Sequence, residues 1–239
     1  MNLLRLVAQS MGYELVSRNK DTSLNFHLLN LIQLNKIDVV LDIGANLGQF
    51  AQSLRGSGFK GEIHSFEPIK AVFEQLQHAA KDDALWHVHN HAMGSEIGLG
   101  KINVTQASDL SSILEPNQYG SKRFKKNKIS HTETIQISTV DNFLINDLVN
   151  GTNKKVFLKT DTQGYDLEVI KGAKQSIKQI RCLLSEISLI PIYAGMPHYI
   201  ESLQVYESLG FIVTGFYPIT REKSDLSVIE MDCVMINKS

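Results

Sequence analysis

The sequence predicts an α/β fold in which an open, mostly parallel β-sheet carries helices on both faces. Three observations lead there. Apolar, β-branched runs alternate with segments of helical periodicity from residue 24 to residue 92, the same alternation resumes after residue 138, and the chain ends in two strands with no helix between them. Parallel neighbours require a long crossover, usually a helix, whereas two strands joined by a loop alone form an antiparallel hairpin.

The elements follow in order. Leu24, Leu28, Leu31 and Ile32 recur at helical spacing behind the capping candidates Thr22 and Ser23. Residues 39–43 (VVLDI) form a strand closed by Gly44, and helical spacing through Phe50, Ala51 and Leu54 stops near Gly56 and Gly58. A strand over 62–66, a helix over 69–80 and a strand over 85–92 complete three units. The rhythm then changes: 98–105 and 133–138 are two half-buried strands joined by a long polar segment with Lys122, Arg123, Lys125, Lys126 and Lys128. Alternation returns as helix 140–149, strand 155–160, helix 167–177, strand 180–187 and helix 199–209, before a hairpin from 210–213 and 231–236. The expected organisation is one domain over 1–239, with a helical cap over 1–36 and an inserted loop or lid over 107–131. A helix over 3–16 would cover the core or pair with another subunit of a homo-oligomer.

A chain of 239 residues, 43% hydrophobic, is long enough for one substantial core. Its 24 basic and 25 acidic residues give a net charge of −1, so neither nucleic acid nor an acidic lipid surface is an expected partner. The apolar stretch around Leu3–Ala8 is interrupted by Arg5 and is too short for a signal core or a stable membrane insertion. Cys182 and Cys233 lie in apolar strands, as buried free thiols do. These features together predict a cytoplasmic protein.

In such sheets ligands bind beyond the carboxyl ends of the strands. Gly44-Ala45-Asn46-Leu47-Gly48 follows the first strand and Glu67-Pro68 the second. A glycine turn suits close backbone approach to a ligand, and a carboxylate can accept both hydroxyls of a ribose. The turn lacks the three-glycine spacing that seats a pyrophosphate, so a nucleoside without phosphates fits it better. Asp42, just before the turn, suits a cationic ligand such as a sulfonium with an amino-acid tail. A glycine pair alone needs only tight strand–helix packing to explain it; joined to Asp42 and Glu67 it points to a ligand site.

Three segments, Val40-Leu41-Asp42-Ile43-Gly44-Ala45-Asn46-Leu47-Gly48, Phe66-Glu67-Pro68 and Leu158-Lys159-Thr160-Asp161-Thr162-Gln163-Gly164-Tyr165-Asp166, resemble the FkbM-type methyltransferases. Asn90-His91-Ala92-Met93-Gly94, Thr139-Val140-Asp141-Asn142-Phe143, Gly172-Ala173 and Asp232 extend the resemblance over residues 36–237. It implies a Rossmann-like class I methyltransferase fold: a seven-stranded, mostly parallel sheet with a C-terminal antiparallel strand. It also implies an S-adenosylmethionine-dependent O-methyltransferase, often acting on sugar hydroxyls of glycolipids, polysaccharides or glycosylated natural products. Asp42, Gly44, Ala45, Asn46 and Gly48 would surround the methionine portion and ribose. Glu67 with Pro68 would hold the ribose diol, the His91-Ala92 segment would border adenine, and Asp161 would close the cofactor set. The chain departs mildly from the commonest motifs, with Thr160-Asp161-Thr162 for Ile-Asp-Val and Gly164-Tyr165-Asp166 for Gly-Tyr-Glu.

Methyl transfer asks mainly for alignment, but a sugar hydroxyl benefits from a base. Asp161, at the end of its strand, is the first candidate, with capping of the next helix as the alternative. Glu186, in a strand where burial would raise its pKa, is the second, and the loop residue His198 the third. Asp161, Glu186 and Asp232 offer hard oxygen ligands for magnesium, although their spacing does not require it. His87, His89 and His91 share one strand face, a pattern better explained by partly exposed sheet residues than by a metal site. Two competing functions remain at this level: an NAD(P)-dependent oxidoreductase on a nucleotide sugar, and a catalytically silent Rossmann-like binding module.

Overall fold

The computed structural model describes residues 7, 8, 10–12, 23–148 and 153–238. Residues 7, 8 and 10 are helical. Residues 11 and 12 of the helix expected over 3–16 form a turn, and its other residues, the capping candidate Thr22 and the last residue of the helix expected over 140–149 lie outside the described residues; Ser23 stands at the N-cap of the helix that begins at Leu24 without a side-chain capping bond.

The main sheet contains β1 (Val39–Ile43), β2 (Glu62–Phe66), β3 (Trp86–His89), β7 (Val156–Thr160), β8 (Ile180–Ser188), β9 (Phe211–Arg221) and β10 (Val228–Asn237), in the order β3-β2-β1-β7-β8-β10-β9. The pairs among β3, β2, β1, β7 and β8 are parallel, and β10 runs antiparallel to both neighbours. The chain winds outward from β1 to β3 and returns to β7 on the other side of β1, which sets a switch point between β1 and β7. This is the seven-stranded, mostly parallel sheet that the sequence implies.

Both faces of the central strands are buried, so these strands are apolar runs rather than alternating ones. Side chains nevertheless divide by the two-residue period. Val39, Leu41 and Ile43 enter one core with Phe143, Leu158, Leu167 and Leu183, and Val40 enters the other with Leu31, Leu54, Ile63 and Phe157. The second core is covered by α1 (Leu24–Asn35), α2 (Gln49–Gly56) and α3 (Lys70–Ala80), whose buried residues include Leu28, Leu31, Leu54 and Leu76. The fourth helix, α4 (Gln118–Arg123), lies in the insertion, and α5 (Val140–Asn142), α6 (Asp166–Lys171) and α7 (Tyr199–Ser208) follow.

The segment expected as one strand over 85–92 is two. β3 ends at His89, Asn90 turns back to donate to the carbonyls of Glu67 and Pro68, and β4 (Ala92–Met93) joins a second sheet with β5 (Gly98–Thr105) and β6 (Ile129–Ser138). The helix expected over 167–177 ends at Lys171, and the next residue, Gly172, packs so closely on the Gly94 carbonyl that a Cβ there would sit 2.0 Å from its oxygen. Asp141 then takes the amides of Gln175 and Ser176 and holds a non-helical turn. After α5 the chain widens into a π-type turn over Phe143–Asp147. No helix among the described residues is long and apolar enough to cross a membrane.

Candidate active site

The strand ends at the switch point open into a cavity of about 660 Å³. The turn after β1 forms one wall. Gly44 has φ +74° and lies where a Cβ would stand 2.0 Å from the Asp161 carbonyl oxygen, so only glycine lets the ends of β1 and β7 meet. Gly48, with φ +84°, starts α2 and faces the Trp86 ring rather than the cavity.

Glu67 follows β2 on the same wall. One carboxylate oxygen accepts from the Asn46 amide at 3.0 Å and the other from the Ile69 amide at 2.9 Å, which fixes the turn after β1 and the start of α3 together. Burial raises its pKa to about 7, in spite of the two amide donors. Ala92 and Met93 line the cavity beside it with Phe66, Pro68 and Ile69.

Asp42 is not on this wall, contrary to its expected place near a bound sulfonium. The pleat turns it to the opposite core, where Ser65 and Lys159 occupy the paired positions on β2 and β7. The Ser65 hydroxyl donates to Asp42 at 3.0 Å, the Trp86 indole donates to Ser65 at 2.9 Å, and the Lys159 ammonium stands 3.1 Å from the Asp42 carboxylate. The same ammonium donates to the Gly44 carbonyl at 2.9 Å and lies 3.5 Å from Asp161. Burial alone would lower the Lys159 pKa, but Asp42 and Asp161 outweigh it and hold the pKa above its ordinary value. A buried lysine thus fastens the turn to β7 from beneath.

Asp161 lines the cavity and does not cap α6, whose N-cap is Tyr165. Gln163 donates to Asp161 at 3.3 Å and to Glu186 at 3.4 Å, while its own oxygen lies 2.9 Å from the Tyr193 hydroxyl. Glu186 also lines the cavity, with Glu230 and Thr220 from the terminal hairpin. Burial raises the pKa of Glu186 well above the ordinary carboxyl range, and the neighbouring Asp161, Glu230, Asp166 and Asp232 raise it further. Burial also raises Glu230, and it raises Asp232 to about 7.

The insertion forms a roof with a structure of its own. The turn Ser108–Leu110, the stretch to Ile113 and the segment Phe124 to Lys126 all border the cavity. Ser108 donates to Asn46 at 3.0 Å, Ser112 to the Gln163 carbonyl at 2.8 Å, and Arg123 to Glu222 of the terminal hairpin at 3.0 Å.

The expected site residues Gly44, Asn46, Glu67, Pro68, Ala92, Asp161 and Glu186 therefore come together on one cavity, whereas Asp42, Ala45, Gly48, His91 and His198 do not reach it. The His91 ring rests on Phe66, with centroids 5.3 Å apart, and His198 precedes α7 beside Tyr199. Lys159, Gln163, Thr220 and Glu230 received no role from the sequence. Among the described residues no group of three or more histidine, cysteine or acidic side chains is arranged to hold a metal ion. Asp161, Glu186 and Asp232, the magnesium candidates, lie near one another but are not arranged as a metal-holding group, and Asp161 is drawn to Lys159. The histidines of β2 and β3 stack instead, with His64 and His89 joined at 3.0 Å.

The sequence profile of the methyltransferase FkbM domain matches residues 42–213. Among curated proteins, none matches significantly. Similar solved structures include precorrin-6y C5,15-methyltransferase from Geobacter metallireducens, at 10% identity and TM-score 0.48, over 91% of this chain and 92% of that one. Magnesium protoporphyrin IX methyltransferase from Synechocystis, solved with bound SAM, is similar at 10% identity and TM-score 0.47, over 99% and 96% of the two chains. Fibrillarin from Aeropyrum pernix, also with S-adenosyl-L-methionine, is similar at 11% identity and TM-score 0.46, over 87% and 74%.

Proposed function

This chain belongs to the FkbM family of S-adenosylmethionine-dependent methyltransferases, and from that premise we propose that it methylates a hydroxyl oxygen of a carbohydrate acceptor. The observation that carries the proposal is a single cavity with two unlike regions: one where Glu67 stands among apolar side chains, and one crowded with Asp161, Glu186 and Glu230. Family membership argues against the oxidoreductase and, with the retained acids, against the silent binding module.

The residues of the first region fit the cofactor. The Gly44 turn admits close backbone approach, Glu67 keeps unused lone pairs for the ribose hydroxyls, and Ala92, Met93 and Phe66 offer an apolar border for adenine. When bound, the cofactor supplies a methyl group activated by a positive sulfur. Asp161 and Gln163 orient the acceptor beside it, and the roof excludes water. Lys125 and Lys126 are exposed cations at the cavity border.

Two measurements test the proposal. Calorimetry should show S-adenosylmethionine binding that weakens about 10- to 100-fold in Glu67→Gln, the loss of one or two hydrogen bonds to a charged group. Labelled methyl donor, offered with panels of glycolipids, polysaccharides, nucleotide sugars, proteins and small phenols, should label a carbohydrate. Labelling of a protein or phenol alone would overturn the acceptor class.

A further inference from the structure

The acidic region of the cavity contains a pair of carboxyl groups with no cation. Glu186 lies on β8, and Glu230 lies at the start of β10, two residues before Asp232, which pairs directly with Glu186. All three side chains share one sheet face, and Glu186 and Glu230 both reach the cavity. Glu230 is buried, at 5% exposure. Thr220 is its partner on β9, and Glu186 stands diagonally opposite it on β8, close enough for the two carboxyls to interact directly. The Glu230 Oε1 atom nevertheless has no donor. Among the described residues no lysine, arginine or histidine pairs with either glutamate, whereas Asp161 shares the Lys159 ammonium. A buried carboxylate oxygen that faces another carboxyl and has no donor is satisfied when a proton lies between the two.

We propose that Glu186 and Glu230 act as one base: the proton of the acceptor hydroxyl passes to Glu186 and is held between the two carboxyls. This rests on the methyltransferase reading above. As the methyl–oxygen bond forms and the methyl–sulfur bond breaks, the sulfonium becomes a neutral thioether. The oxygen–hydrogen bond passes its proton to the pair, which goes from two negative charges to one. The charged and titratable groups that face the pair are Asp161 just after β7, Asp166 from α6, Asp232 from β10 and Tyr193 from the loop after β8. The acids among them favour uptake of the proton. Asp161 keeps its place as the residue that positions the acceptor.

The test has a part that needs no acceptor. Carbon-13 glutamate carboxyl resonances of the protein, assigned with Glu186→Gln and Glu230→Gln, should show a coupled titration. Removing one carboxyl should lower the midpoint of the other by about one unit or more, the threshold of a coupled pair. With the acceptor found above, wild-type kcat should rise with pH through the pair's upper midpoint. In Glu230→Gln that rise should move to lower pH with a reduced plateau, while calorimetric S-adenosylmethionine affinity stays within about twofold. If Glu186 titrates identically with and without Glu230, or if the pH–rate profile of Glu230→Gln matches the wild type, the pair is not the base. If the wild type transfers methyl to no hydroxyl although the coupled titration is present, the acceptor reading fails and the shared proton stands. If Glu230→Gln does not fold, the titration is read in Glu230→Asp, whose carboxyl is withdrawn by one methylene; an unmoved Glu186 midpoint there equally overturns the pair.

Discussion

Lys159 shows how one residue in the middle of a familiar motif changes the meaning of its neighbours. Its ammonium sits beneath the cavity against Asp42, the Gly44 carbonyl and Asp161, so Asp42 is consumed in structure and Asp161 is steadied at the rim. Removing one partner of a buried ion pair leaves the other charged and unpaired, at a cost of about 3–5 kcal/mol. Lys159→Met should therefore lose about that much stability in urea denaturation, and a loss under about 1 kcal/mol would show the pair to be unimportant. That Gly44, Asn46, Glu67 and Pro68 border one cavity was legible in the sequence, because a glycine turn and an acid after successive strands carry their own geometry. Asp42 was misplaced because strand pleat, not proximity to the turn, decides which face a side chain meets. Glu230 was missed for a related reason. Strand-end acids were sought at the carboxyl ends of strands, but β10 runs against its neighbours and presents its beginning at the rim.

At the scale of elements, the central strands and their crossover helices were legible because each repeats a strong pattern over several residues. The second sheet was not, since β4 is two residues long and its separation from β3 depends on Asn90 bonding to carbonyls distant in sequence. The insertion was legible as an interruption of the strand–helix alternation by its length and polarity alone. Its helix α4 and its anchors on Gln163, Pro191 and Glu222 are tertiary contacts that no local pattern announces. The contact between Ser108 and Asn46 ties the roof to the turn after β1. Ser108→Ala removes a single neutral hydrogen bond, so it should change global stability by about 1 kcal/mol or less. Stopped-flow release of the demethylated cofactor should nonetheless accelerate several-fold, and an unchanged release rate would show that the roof stays in place during exchange.

Taken whole, the molecule buries two kinds of titratable group with opposite pH dependence. Burial holds Glu67 and Asp232 near about 7, and it lowers His64 to about 3 and His89 to about 4. The raised carboxyls bind more protons folded than unfolded, so their contribution is complete below about pH 4 and is lost as pH rises toward 7. The lowered histidines bind more protons unfolded, so theirs is complete above about pH 6.5 and is lost as pH falls. The ordinary and shifted values for Glu67 differ by about 2.5 units, a ceiling of about 3 kcal/mol. Thermal melts should accordingly peak in the mildly acid range and fall toward about pH 8, with a shallower alkaline fall in Glu67→Gln; a profile flat from about pH 5 to 8 would contradict this balance. The Arg123–Glu222 anchor has a further consequence. Through it the covering segment is moored to the hairpin whose strands also bear Thr220 and Glu230, so a shift in that hairpin on docking of a bulky glycan would be felt at ceiling and floor together. Admission of the right guest and readiness of the proton-accepting groups would then be a single mechanical event.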